Sequence, residues 1–234
     1  MPLPTTACDP GVILSKDEIT EQIREWIVTL RFAPGEKIVD TEIASYFGVS
    51  RTPIREVLKL LEQQKLICTF PGKGTFVAEL HPENIYSLYL PMQTLQCLAV
   101  RLACDNAAPE DIAELEEINR DFLEKAESRD DTLGLLKADK RFHQKLVDMA
   151  RNEYIDDFCS ALWTHIARLD YIYFRDSRML TSSYTDHVRM IKALSMRDPF
   201  SAERAMRDNW NNSMLGIMAL TDKKDEAAAP ACTL

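Results

Sequence analysis

Asp139 and His143 stand four residues apart, so a helix through them puts a carboxylate and an imidazole on one face. Leu136, Phe142 and Leu146 share that face, which turns both polar groups inward. His187 lies in the same way with Tyr184, Ile191 and Leu194, and Asn209 with Ala202, Ala205, Met206 and Ile217. An Asp–His pair joined by a second histidine from another helix is a donor set for a divalent cation. The same residues also suit a hydrogen-bonded polar core, and spacing alone leaves both open. A second chemical set is basic. Arg51, Thr52, Arg55 and Lys59 fall opposite a stripe of Ile54, Val57, Leu58 and Leu61. Arginine and threonine on the exposed first turns of such a helix are placed to meet phosphates and base edges in a major groove. Loose surface salt bridges, or a protein partner, are the blander use of that face.

The basic set needs a scaffold, and the flanking sequence supplies one. Ser50 is an N-cap residue for its helix, and Pro53 sits in the first turn, where a missing N–H is harmless. Upstream, Ser15 and Glu18 form a capping box, opening a helix with apolar positions Ile19, Ile23, Trp26, Ile27 and Leu30. Ala33-Pro34-Gly35 stops it. Asp40 is expected to cap a short second helix carrying Ile43, Tyr46 and Phe47, which Gly48 ends. Downstream, 66–70 and 75–78 are β-prone runs joined by the turn Pro71-Gly72-Lys73-Gly74. Three helices and a hairpin make a winged helix with Lys73 at the wing tip.

From His81 onward helical periodicity takes over. Helices are expected over 83–105, 109–128, 132–150, 153–174, 183–196 and 199–220, with Asn152 and Asp198 as N-caps. The expected fold is therefore mainly α: an N-terminal winged helix-turn-helix with a small β-hairpin wing, then an all-helical bundle. The boundaries are a flexible 1–13, the winged helix 14–79, the bundle 80–221 and a loose tail 222–234.

The chain has 234 residues, room for two cores. No apolar run is long enough to cross a bilayer and no signal peptide opens the chain, so a cytoplasmic location without a membrane partner is expected. Cysteines 8, 68, 97, 104, 159 and 232 are scattered without a CxxC, and read as reduced thiols, mostly in the core. The net charge is −9, yet Lys16 to Glu79 holds nine basic and ten acidic residues, and Arg51 to Lys73 five basic and two acidic. Positive charge is thus focused on the helix through Arg51 and Arg55 and on the wing, where it would govern phosphate contact.

The N-terminal region resembles the DNA-binding domain of the GntR family of bacterial transcription regulators. The resemblance is carried by Pro34-Gly35-Glu36-Lys37-Ile38, Glu42-Ile43-Ala44, Phe47 through Leu58, and Gly72-Lys73-Gly74-Thr75-Phe76-Val77. It implies that Arg51 and Arg55 contact DNA, that Ser50 and Thr52 help hold phosphates, and that Gly72 at the wing approaches a groove, beside Lys73. Thr41 stands where the family often has arginine.

The remainder resembles the FCD branch of the same family, an all-helical ligand-binding bundle. Asp139-Lys140-Arg141-Phe142-His143 matches the family's Asp-x-x-x-His, and Asp186-His187 matches its next histidine element. Asn209 falls where the family has a third histidine. The resemblance implies one divalent metal (zinc, nickel or manganese) held by Asp139, His143, His187 and Asn209. An amide oxygen is a poorer ligand than imidazole for zinc or nickel. Carboxylate-sensing members often have an arginine and a glutamate on the first helix of this domain, where this chain has Met92 and Gln96. Methionine cannot grip a carboxylate. Either the effector is not a simple carboxylic acid, or the metal, Arg168 or Arg175 does that work. The implied effector pocket is lined by Met92, Gln96, Asp139, His143, His187 and Asn209, with His165 nearby or structural.

These features lead to a homodimeric transcription regulator, a repressor relieved by a small-molecule effector, acting on double-stranded operator DNA. A metal-dependent enzyme would use the same Asp139, His143 and His187 to activate water, with Asn209 orienting a substrate. Against it stand the lack of a further general base, a nucleophile elbow or a cofactor motif. A direct metal sensor is the third reading.

Overall fold

The structure is a computed structural model that describes residues 3, 14–81, 84–128, 131–175 and 180–228, with only the backbone for 180–181 and 221–228. Apart from Leu3, the expected flexible start lies outside the described residues, as do Pro82 and the last six residues, and Cys8 and Cys232 with them. The chain divides into two compact units, Met1–Leu80 and His81–Leu234.

In the first unit, α1 (Lys16–Val28) opens with the expected capping box: Glu18 N donates to Ser15 Oγ at 3.2 Å and Ser15 N to Glu18 Oε2 at 2.7 Å. The helix ends sooner than expected. Leu30 adopts φ 57°, and the chain folds back so that Phe32 N reaches Trp26 O at 3.0 Å. This return buries Phe32 completely against the Trp26 ring, 5.1 Å between centroids, so core filling ends the helix before Pro34 does. Residues Lys37–Ile38 form β1, a two-residue strand too short to register as a pattern. Next come α2 (Asp40–Phe47), closed by Gly48 in the left-handed conformation at φ 65°, and α3 (Arg51–Gln63). The N-cap of α2 is Val39, not Asp40; Asp40 is the first helical residue and its carboxylate turns to α3 instead.

Strands β2 (Ile67–Phe70) and β3 (Gly74–Val77) form the hairpin, and β1 adds to β3, giving the antiparallel order β1-β3-β2. Lys73 N bonds Phe70 O at 3.0 Å around Pro71 and Gly72, whose φ of 75° is what a type II turn requires at that position. Ile23, Ile27, Ile43, Ile54, Val57, Leu61 and Leu66 are fully buried and make one core of α1, α2, α3 and the sheet. Each such aliphatic side chain contributes about 1.5–3 kcal/mol by leaving water.

Among the described residues the regular elements of the second unit are all helices: α4 (Asn84–Asn106), α5 (Pro109–Ser128), α6 (Thr132–Ala150), α7 (Glu153–Tyr173), α8 (Leu180–Ser195) and α9 (Pro199–Ala228). Helix α4 packs on α6, α7, α8 and α9; α5 closes against α6 and α8. Asn152 Oδ1 accepts from the backbone N–H groups of Tyr154 and Ile155, and Asp198 Oδ1 from those of Phe200 and Ser201, the two expected caps. Asp131 caps α6 through Gly134 N at 2.7 Å. Helix α9 continues past the expected end at Leu220. Residues 222–228, expected to be a loose tail, are helical, in keeping with the good helix formers Lys223, Lys224, Glu226, Ala227 and Ala228. Among the described residues no helix is long and apolar enough to cross a membrane.

Candidate nucleic-acid interface and metal centre

The outer face of α3 presents Arg51, Thr52, Arg55, Glu56 and Lys59 to solvent. Ile54, Val57, Leu58 and Leu61 bury the opposite face, so packing fixes which side chains point outward. Ser50 occupies the N-cap position with an exposed side chain, and its hydroxyl makes no capping bond to the helix. Arg51 and Arg55 both turn to Asp40. Arg51 Nη2 lies 2.8 Å from Oδ2 and 3.1 Å from Oδ1, and Arg55 Nε lies 3.2 Å from Oδ2. The Arg51 guanidinium beside Asp40 holds its carboxyl below the usual range, and Arg55 adds to this against the effect of partial burial.

Between α3 and the sheet runs a groove of about 460 Å³ whose lining includes Lys37, Asp40, Arg55, Lys59, Thr69 and Thr75. Lys37 belongs to this face, which its position on the unforeseen strand β1 explains. Gly72 sits exposed at the wing turn, where an added Cβ would meet nothing within 4 Å, and Lys73 is exposed beside it. Cys68 is exposed on β2, whereas Cys97, Cys104 and Cys159 are buried thiols, each raised by burial to about 11.

In the second unit, α6 and α8 bring Asp139, His143 and His187 together in the interior. Their candidate ligand atoms all lie within 4.8 Å of one another, and the residues are 5%, 2% and 0% exposed. Nε2 of His187 is 3.5 Å from Oδ1 of Asp139, and Nε2 of His143 is 3.9 Å from Oδ2. Amide oxygens orient both rings from outside. His143 Nδ1 stands 3.3 Å from Gln96 Oε1, and His187 Nδ1 stands 3.0 Å from Asn119 Oδ1. An amide oxygen can only accept, so the proton of each ring sits on Nδ1 and the Nε2 lone pairs face the carboxylate.

Burial holds His143 neutral, pushing it down to about 3 against the opposing side-chain hydrogen bond of Asn209. Burial also carries His187 well below its usual value, and His143 adds to this. Burial raises Asp139, with the Asp170 charge adding to it.

Nε2 of His187 is fully enclosed without a hydrogen-bond partner. Lone pairs and a carboxylate that face one another in a buried space repel unless a cation or proton lies between them. Donors around one small divalent ion sit about 3–4 Å apart, because each is about 2 Å from the metal. The Asp139, His143 and His187 set therefore fits a divalent metal, and Asn209, buried on α9 and bonded to His143, adds an amide at its edge.

Met92 and Gln96 are both buried on α4, but Gln96 is engaged as the partner of His143 and of Cys159. Arg168 is buried within α7, His165 is half-buried on the same helix, and Arg175 is exposed beyond its end. Asp186 accepts from Arg189 and Asn212 rather than joining the donor set. Sequence reasoning missed four contributors: Asn119, and around the centre Asp170, Trp163 and Trp210. Asp170, raised by burial to about 7, accepts from Tyr89 Oη at 2.5 Å. The Trp163 and Trp210 rings flank His143 at 5.8 and 5.1 Å. The usable signal was the polar interruption of apolar runs, Asn119 among Leu115, Ile118 and Phe122, and Asp170 among Leu169, Tyr173 and Phe174.

Comparison with known proteins agrees with both halves. The profile described as "Bacterial regulatory proteins, gntR family" matches residues 15–77, and the FCD domain profile matches residues 87–212. The chain belongs to the GntR family.

Within that family it carries an FCD domain, and its relatives bear the names of transcriptional regulators rather than enzymes. It is 34% identical to the Nta operon transcriptional regulator of Aminobacter aminovorans over 172 residues, covering 73% of this chain and 79% of that one. It is 25% identical to the HTH-type transcriptional repressor NanR of Cronobacter sakazakii, covering 88% and 86%. The structure of Escherichia coli McbR/YncC superposes with a TM-score of 0.75 at 18% identity, over 91% of this chain and 99% of that one, which shows the shared fold. Its two matched domains and its named relatives make the chain a DNA-binding transcriptional regulator.

Proposed function

We propose that this regulator is a homodimeric repressor whose FCD domain binds one divalent metal at Asp139, His143 and His187, with Asn209 completing the set, and that a small effector engages this metal to weaken operator binding. The observation that carries the reading is the enclosed trio of facing acceptors, each imidazole turned inward by an amide oxygen. Zinc, nickel and manganese are the metals the donors suit, with manganese most tolerant of the Asn209 oxygen. In the absence of an arginine at Met92, the bound metal is the cation that an anionic chelating effector would meet.

DNA contact is assigned to Ser50, Arg51, Thr52, Arg55, Gly72 and Lys73. Arg51 and Arg55 serve base edges or phosphates, and the wing residues serve an adjacent groove. Repression is supported by the repressor named among the relatives. Dimerisation is supported by the apolar side chains that α4 and α7 leave exposed, Tyr86, Leu90 and Leu98 on the first, Tyr154 and Phe158 on the second. These two helices pack on one another, and a second copy covering them would supply the paired winged helices that a pseudo-palindromic site needs.

The test starts from elemental analysis of tag-free protein with His143→Ala alongside. About one equivalent of a divalent metal in the wild type, absent from the variant, is the expected result. A metal-dependent change in operator affinity without any organic ligand would instead make the metal itself the signal. No metal in either protein after adding it back would overturn the metal-centred reading.

A further inference from the structure

We propose that Asp40 is a positioning residue of the DNA-binding face: by clamping Arg51 and Arg55 it sets how well the regulator discriminates its operator from other DNA. The inference rests on the assignment of these two arginines to DNA contact. Asp40 is the first residue of α2, with a side chain 23% exposed, whereas Arg51 and Arg55 are 52% and 65% exposed. One carboxylate therefore stands on a packed element while two long cationic side chains project from α3. Arg51 meets it through Nε and Nη2, the latter close to both carboxylate oxygens, and Arg55 meets it through Nε.

Two consequences follow from this arrangement. A guanidinium held by one edge keeps its remaining N–H groups aimed in a fixed direction, so less rotamer freedom is lost when it meets a base edge. The carboxylate also cancels one of two positive charges, which weakens contact with phosphates on any sequence. Both effects favour the operator over unrelated DNA.

The clamp is not needed to hold the helices together. Ile43, Ala44 and Phe47 of α2 and Ile54, Val57 and Leu58 of α3 are buried in one core, and exposed ion pairs contribute little to folding. Asp40→Asn keeps the shape and removes the charge, while Asp40→Glu keeps the charge on a longer stem.

The experiment uses full-length protein and a duplex that the wild type enriches from a random pool, with an unrelated duplex of equal length as reference. In Asp40→Asn, affinity for the unrelated duplex is expected to rise. The ratio of the two affinities should fall about tenfold, as befits loss of a charge-assisted clamp. The slope of log affinity against log salt should steepen by about one. Asp40→Glu should keep the wild-type slope and recover most of the ratio.

An unchanged ratio and slope in Asp40→Asn at unchanged Tm would overturn the inference. So would equal losses on both duplexes with a lowered Tm, which mark a purely structural role. If the wild type enriches no sequence at all, the assignment of this face to DNA fails as well, an outcome distinct from an Asp40 variant that simply discriminates normally.

Discussion

His187 Nδ1 lies 3.0 Å from Oδ1 of Asn119, and this contact reaches from α8 across to α5 to fix which nitrogen of the ring faces Asp139. Without the amide, the ring is free to flip or to change tautomer. Asn119→Ala is therefore expected to weaken divalent-metal affinity by about 10–100-fold while leaving the ligands in place. Titration against a competing chelating dye measures this, with Gln96→Ala as the equivalent change behind His143. Wild-type affinity in both variants would remove the amides from the metal centre.

Asp170 supplies a pH signature. Its carboxyl is raised by burial from 3.8 to about 7, with the Tyr89 hydrogen bond opposing the rise. Between those values the folded chain keeps a proton that the unfolded chain has lost. Stability from this group is thus greatest below about pH 4, falls as pH rises toward about 7, and levels off above. Tyr89, Tyr173 and Asp139 share its surroundings, and Asn at 170 can still accept from Tyr89. Asp170→Asn should therefore gain Tm relative to wild type as the pH is raised from about 4 to about 7, then hold that gain. A pH-independent difference, read by thermal denaturation, would contradict the buried-acid account.

Arg51→Ala and Arg55→Ala should each cost about 1–3 kcal/mol of operator affinity if they reach base edges. Lys73→Ala should act differently, weakening binding evenly across sequences and lowering the salt slope by about one. Fluorescence anisotropy over a salt series separates the two patterns. Full operator affinity in both arginine variants would show that α3 does not dock in the groove as assigned.

Leu98→Glu places a charge on the exposed apolar row of α4, and Phe158→Glu does so on α7. Neither side chain is in the core, so Tm should change little in the monomer. Light scattering is expected to show dissociation at micromolar concentration, with loss of cooperative operator binding. Persistence of a dimer in the double variant would place the interface elsewhere.

The N-terminal unit was legible because its signals are local. The Ser15–Glu18 box, the 3.6-residue stripe of α3, and Gly48 and Gly72 at positive φ each act within a few residues. Strand β1 escaped because two residues carry no period, and its partner Phe76 is far along the chain. Asp40 was misassigned as a cap because an acidic residue at a helix start satisfies the capping rule equally well. What decided its role was the proximity of Arg51 and Arg55, eleven and fifteen residues away.

At the metal centre, the i, i+4 spacing of Asp139 and His143 fixed their common face, and His187 was visible as an interruption of an apolar stripe. That α8 and α6 meet at those residues depends on α5 packing against both helices, which no periodicity encodes. By itself, then, the sequence determined the helices and the hairpin, the family, and the inward placement of Asp139, His143, His187 and Asn209. The tertiary structure alone decided which of those residues meet, and that Asn119 and Gln96 set the tautomers. The reason is that helix periodicity constrains only the face a side chain takes, whereas contact between faces is settled by how whole helices pack to fill the core.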